Sequence, residues 1–299
     1  MKKNLLIIIT GFSMAFADSV PGVSGGTIAY ILGQYDSLIS SIHIILSNNS
    51  IDKKKEAFTY LTKLLLGWIS GFVIAVLAIT ELMITHTYQM TSLFLGFIIF
   101  SIGFIIIEEF QILKKNKNKI LYLFIGALIV ILIAYFSSTK LDILQNSSKV
   151  ISYIYIFIAG IIAISAMLLP GISGSTLLII FGLYSIIMQS IKSTIKFDFS
   201  NLFIVIVFGL GLVVGLKYTS KIISKALEKY KSMMIYLIIG LMLGSIYAII
   251  IGPTTLTDDL SKANLNYKPL TIESFSLTFF IIGILITAGL DRLKTFIKE

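Results

Sequence analysis

Two short stretches of this chain combine proline, glycine and hydroxyl residues in an order suited to holding an anion by backbone. Pro21-Gly22-Val23-Ser24-Gly25-Gly26-Thr27 precedes one apolar run, and Pro170-Gly171-Ile172-Ser173-Gly174-Ser175-Thr176 precedes another. Each reads as a helix start. Proline suits the first turn, where no amide hydrogen is required, and Ser24 and Ser173 stand where caps belong. Gly25, Gly26 and Gly174 let backbone approach a ligand without a Cβ in the way. The free amides of such a start, with a dipole equivalent to about +0.5 charge, favour a phosphate or carboxylate. Two of them facing each other would need no basic side chain, and Arg292, the sole arginine, lies far away in sequence. The plainer alternative is a pair of proline kinks satisfied by neighbouring helices and hydroxyls.

Other ionisable residues are weaker candidates. Asp18 lies three residues before Pro21 inside an apolar run, and its counterpart in the second copy is Met167. An intramembrane carboxylate is costly and reads as functional. It suits a coupling proton, and equally a structural cap on the Ser24–Thr27 turn. Glu81 near the outer end of its segment, and Lys217 and Lys221 near the cytoplasmic end of theirs, are secondary pathway candidates. For the lysines, snorkelling to headgroups is the simpler role. Tyr35 and Tyr184, like Gly33 and Gly182, match between copies and read as packing anchors. Glu108-Glu109 reads as part of a solvated loop. His43 and His86 do not pair in sequence, so neither a metal site nor a cofactor is expected.

The two motifs belong to a duplication that sets their surroundings. Residues 21–42 and 170–191 align without a gap at an offset of 149, with 10 identities in 22 positions. Farther on the offset becomes 144, pairing Gly67, Gly71 and Gly96 with Gly211, Gly215 and Gly240. Apolar segments lie near 4–17, 22–46, 60–84, 90–107, 120–136, 150–169, 172–191, 200–224, 232–252 and 273–290, five per half. With 57% hydrophobic residues, 13% charged residues and a mean hydropathy of +0.96, a soluble domain is excluded. Continuous apolar runs without alternation argue against a β-barrel. The expectation is an all-α polytopic membrane protein, one domain over residues 1–299. It holds two inverted-topology repeats, about 4–136 and about 150–290, each a re-entrant or broken helical hairpin plus three transmembrane helices.

Segment 4–17 covers only about 21 Å at 1.5 Å per residue, short of a ~30 Å hydrocarbon core. It imitates a cleavable signal peptide, yet residues 11–17 belong to the duplication, so the segment is read as retained. The net charge of +9 sits in short loops rather than on a binding face, which points away from nucleic acid. Placing both termini in the cytoplasm leaves 17 Lys and Arg on cytoplasmic stretches against 6 outside, with Lys63 inside a helix start. Zero cysteines exclude disulfides and thiolate chemistry.

The stretches AFADSVPGVSGGTIAYILGQYDSLI (15–39) and LLPGISGSTLLIIFGLYSIIM (168–188) resemble the bacterial undecaprenyl-phosphate transporter family over essentially the full chain. The resemblance implies a multi-pass flippase of the bacterial cytoplasmic membrane that returns this cell-wall lipid carrier from outer to inner leaflet. It implies a polyprenyl-phosphate lipid and the bilayer as partners, and leaves self-association open. The implied sites are Asp18, Pro21, Gly22, Ser24, Gly25, Gly26 and Thr27, with Pro170, Gly171, Ser173, Gly174 and Ser175. Two rivals stand beside it. An integral-membrane undecaprenyl-pyrophosphate phosphatase has a similar turn, but with an arginine where Gly174 stands. A secondary transporter of a small anion is the other.

Overall fold

The computed structural model describes residues 2–18, 24–136, 149–172, 174, 177–178, 181–255 and 268–298. Among them the chain is helical, with no strand. The first half contains α1 (Lys2–Asp18), α2 (Gly25–Ile31), α3 (Tyr35–Ile45), α4 (Ile51–Thr85), α5 (Thr87–Glu108), a short α6 (Phe110–Lys115) and α7 (Leu121–Phe136). The second contains α8 (Lys149–Met167), α9 (Tyr184–Ile195), α10 (Leu202–Lys229), α11 (Lys231–Thr255) and α12 (Leu277–Lys298). Among the described residues six helices are long and apolar enough to cross a bilayer: α4, α5, α7 with the turn before it, α8, α10 and α11.

The apolar run expected over 22–46 is two helices, not one. Gly33 adopts φ +63°, a left-handed backbone that side chains resist. Its amide donates to the Tyr30 carbonyl (2.9 Å), and the Gln34 amide donates to that of Ala29 (2.7 Å). This is a Schellman ending, which satisfies carbonyls a helix terminus would orphan. The second copy shares its left-handed glycine and its longer bond, with Gly182 at φ +65° and the Leu183 amide on the Leu178 carbonyl (2.9 Å). The matched glycines are therefore helix stops, a stronger constraint than packing.

Helix pairing follows the duplication. α1 packs on α4 as α8 packs on α10. The last helix of each half crosses over: α12 lies along α5, and α7 along α11. α5 and α11 meet at the centre, where Ile98, Ile105, Ile238, Leu241 and Met242 are fully buried. The outer helices turn large apolar residues outward, including Leu65 and Phe72 of α4 and Leu128 of α7.

Lipid tails are as apolar as leucine, so close backbone approach must hold such helices together. Glycines provide it in matched pairs. A side chain on Gly67 would strike the Ile8 carbonyl, and one on Gly71 that of Phe12; on Gly211 and Gly215 it would meet Phe157 and Ile161. Gly11 faces Leu64 as Gly160 faces Phe208. At the crossed-over helices, Gly96 and Gly283 face the carbonyls of Phe280 and Leu93, while Gly240 and Gly126 face those of Leu123 and Leu237. Each contact occurs twice, at equivalent positions.

Candidate functional site

Ser24 caps α2 with extended backbone, its Oγ accepting from the Gly26 amide (3.2 Å). The same hydroxyl donates to the Leu169 carbonyl (3.2 Å), one residue before Pro170. A Cβ on Gly26 would lie 3.2 Å from the Pro170 nitrogen, a tight contact that a side chain could make only if the two turns gave way by a few tenths of an ångström. Tyr35, 2% exposed, donates from Oη to the Leu168 carbonyl (2.9 Å). The turn of the first motif thus rests directly on the entry to the second. Gly171 holds φ +89° with its Cβ position 2.7 Å from Met242 N, which ties the second turn to the central α11.

The amides expected to be free are in use. Asp18 Oδ1 accepts from Gly25 N (2.8 Å), and its Oδ2 accepts from Trp68 Nε1 (3.2 Å). Thr27 N donates to the Ser24 carbonyl (3.0 Å). An internal carboxylate therefore occupies the start of α2, the capping role weighed for Asp18. The second half differs there in chemistry but not in place: Met167 packs against Gly174 as Asp18 packs against Gly25. One polar group stays unmatched. Thr27 is fully buried, and its Oγ1 has no hydrogen-bond partner among the described residues. Leaving a buried hydroxyl unpaired costs about 1–3 kcal/mol.

Pro21, Gly22, Ser173, Ser175 and Thr176 lie outside the described residues, as does the side chain of Glu81. Lys217 and Lys221 lie on the exposed face of α10. Glu108 and Glu109 are not in a loop: Glu108 ends α5 and Glu109 is its C-cap, and Glu108 binds Lys294 (2.7 Å) while Glu109 binds Lys231 (3.3 Å). Tyr30 of α2 donates to Glu109 Oε1 (3.2 Å), and the Lys294 ammonium lies 4.8 Å from the Phe104 ring centre. Lys294 is buried at 6% exposure, so this charge is kept by its partner rather than by solvent. The partners sit far apart along the chain, and sequence spacing gives no sign of them. Trp68 and Tyr30 likewise escape a reading by motif. Trp68, the sole tryptophan, adjoining a repeat glycine, was the available signal for one of them.

A helical, multi-pass membrane protein with duplicated halves and two broken helices meeting at one buried junction is the class these features define. Within it, residues 14–266 match the family described as VCA0040-like, undecaprenyl phosphate translocase-like, and the chain belongs to that family. It is similar to a polyprenyl-phosphate transporter of Vibrio cholerae serotype O1, 36% identical over 249 residues that cover 80% of this chain and 75% of the relative. A polyprenyl-phosphate transporter of Staphylococcus aureus is 34% identical over 294 residues, covering 96% and 95%. No solved structure matches the chain significantly.

Proposed function

We propose that this protein moves undecaprenyl phosphate, or a close polyprenyl phosphate, from the outer to the inner leaflet of the bacterial cytoplasmic membrane. The observation that carries this is the junction itself: Ser24 bonded to the Leu169 carbonyl, Gly26 against Pro170, and the orphaned Thr27 hydroxyl beside them. The headgroup must cross hydrocarbon about 30 Å thick, while the tail can stay in lipid. Hydroxyls and amides from both turns replace its water. The candidate binding residues are Pro21, Gly22, Ser24, Gly25, Gly26 and Thr27 with Pro170, Gly171, Ser173, Gly174, Ser175 and Thr176. Lys217 and Lys221 attract the anion toward the cytoplasmic face.

Asp18 makes the cycle conditional. Its carboxylate holds the Gly25 amide that an incoming phosphate would use, and two anions repel at this separation. Headgroup entry therefore requires Asp18 to take a proton or swing toward Trp68. The halves are read as inverted repeats of one domain, with both termini cytoplasmic, so that rocking exposes one site to each leaflet in turn. Hydrolysis is not the assigned activity. Phosphoryl transfer relies on positioned positive charge, and Arg292 stands on α12 rather than in either motif.

Proteoliposomes carrying fluorescent polyprenyl phosphate test the reading. The unsubstituted protein accelerates leaflet exchange, and S24F or S173F lowers it at least tenfold. Incubation with the pyrophosphate lipid releases no inorganic phosphate. Undiminished exchange in both variants rejects the site, and phosphate release rejects the transporter in favour of a phosphatase.

A further inference from the structure

The duplicated contacts break at one seam. In the first half α1 packs against α12, and the Lys2 ammonium reaches to 5.2 Å from the Phe296 ring centre. The equivalent seam in the second half sets α8 beside α7, yet these helices share no comparable interface among the described residues. A groove of about 490 Å³ lies there instead, walled by α7, α8, α10 and the stretch following Pro170. Leu132 and Ile162 on its walls are 45% and 40% exposed, so it opens on the face that meets acyl chains.

The two halves also differ in sequence along this wall. Phe16 is the counterpart of Ser165 at the offset of 149. Phe16 lies 5.1 Å from Phe12, ring centre to ring centre, and packs against the main core. Ser165 is too small to fill the same volume, and its hydroxyl is spent locally. It donates to the Ile161 carbonyl (2.6 Å) and pairs with Thr219 Oγ1 (2.6 Å). With those hydroxyls bonded to each other, the wall presents an apolar surface. Leu169 and Ile172 line the groove on either side of Pro170-Gly171, and the Leu169 carbonyl is the acceptor for Ser24. One continuous surface therefore runs from the lipid-facing exterior to the junction of the two motifs.

Resting on the function proposed above, the geometry points to this groove as a lateral portal that seats the polyprenyl chain while its phosphate occupies the junction. A soluble anion would find no polar wall along it. A chain with one anionic end matches both parts, apolar along the groove and hydrogen-bonding at its inner end. The volume falls within the range of about 300–1,000 Å³ usual for small-molecule sites, enough for the head-proximal part of such a chain and not for all of it.

The absence of cysteine in the native chain makes the test direct. L132C and I162C are introduced together into the full-length protein, which is purified and then bridged with a reducible dithiol-reactive linker. Bridging should lower leaflet exchange of polyprenyl phosphate at least tenfold relative to the same double variant before bridging, and reductant should restore it. In parallel, a polyprenyl phosphate with a mid-chain diazirine should label α7 and α8 of the unsubstituted protein. That labelling should be competed by unlabelled polyprenyl phosphate and not by phosphatidylglycerol. Full exchange in protein shown to be bridged overturns the portal alone. Equal competition by phosphatidylglycerol does the same, by assigning the groove to ordinary acyl chains. No exchange by the unsubstituted protein overturns the transport reading, and the portal with it.

Discussion

Replacing Asp18 with alanine should cost the protein several kcal/mol of stability and nearly all transport. The carboxylate uses different oxygens for its two donors, Oδ1 for the Gly25 amide and Oδ2 for the Trp68 indole. Alanine orphans both donors inside the membrane, at about 1–3 kcal/mol each, and the hydrocarbon offers no water to replace the lost acceptor. Asparagine gives a graded result. Its one carbonyl oxygen can serve either donor, while its NH₂ must face the other donor-to-donor. Thermal unfolding in detergent should rank the native protein above D18N and D18N above D18A. Exchange should fall in the same order, because the turn at Gly25 is held by acceptors that asparagine halves and alanine removes. Matching stabilities for D18A and the native protein would remove Asp18 from the structural role described above.

The second large effect concerns glycines that bear no chemistry. G67L on α4 and G240L on α11 should abolish accumulation of folded protein. Each places a branched side chain against a backbone carbonyl of the adjoining helix, Ile8 in one case and Leu123 in the other. Backbone cannot yield as a side-chain end can, so the helices must separate, with losses at or beyond the roughly 1–3 kcal/mol usual for overpacking. Gly103 and Gly209 supply the control, since a Cβ at either meets nothing within 4 Å. G103A and G209A should be neutral or slightly stabilising, as alanine is the better helix former by up to about 1 kcal/mol. Expression level and size-exclusion profile in detergent distinguish the two groups. Equal behaviour would refute the close-approach account of the helix pairs.

The motifs and the glycine pairs were legible because each depends on residue type alone. Only glycine suits a backbone contact at Gly67 and Gly211, and the repeat offset carries one contact onto its counterpart. The Ser24 cap was legible for the same reason. What escaped depends on long-range partners or on backbone angle. The apolar run over 22–46 hid a helix stop, since Gly33 looks the same in sequence whether its φ is positive or negative. Glu108 looked unpaired because its partner, Lys294, is 186 residues away. Free amides at Gly25 and Gly26 were expected from local chemistry, which omits that Asp18 folds back over the turn. The open seam between α7 and α8 was invisible because a groove is defined by what neighbouring helices fail to fill.

Joint recognition of one phosphate by the turns that begin at Pro21 and Pro170 is tested most directly by a polyprenyl phosphate whose photoreactive group adjoins the head. After illumination in proteoliposomes, peptide mass spectrometry should find adducts both within 24–27 and within 170–176, lost together on competition with unlabelled lipid. Adducts confined to one turn, or spread over the outward faces of α4 and α10, would contradict the shared site.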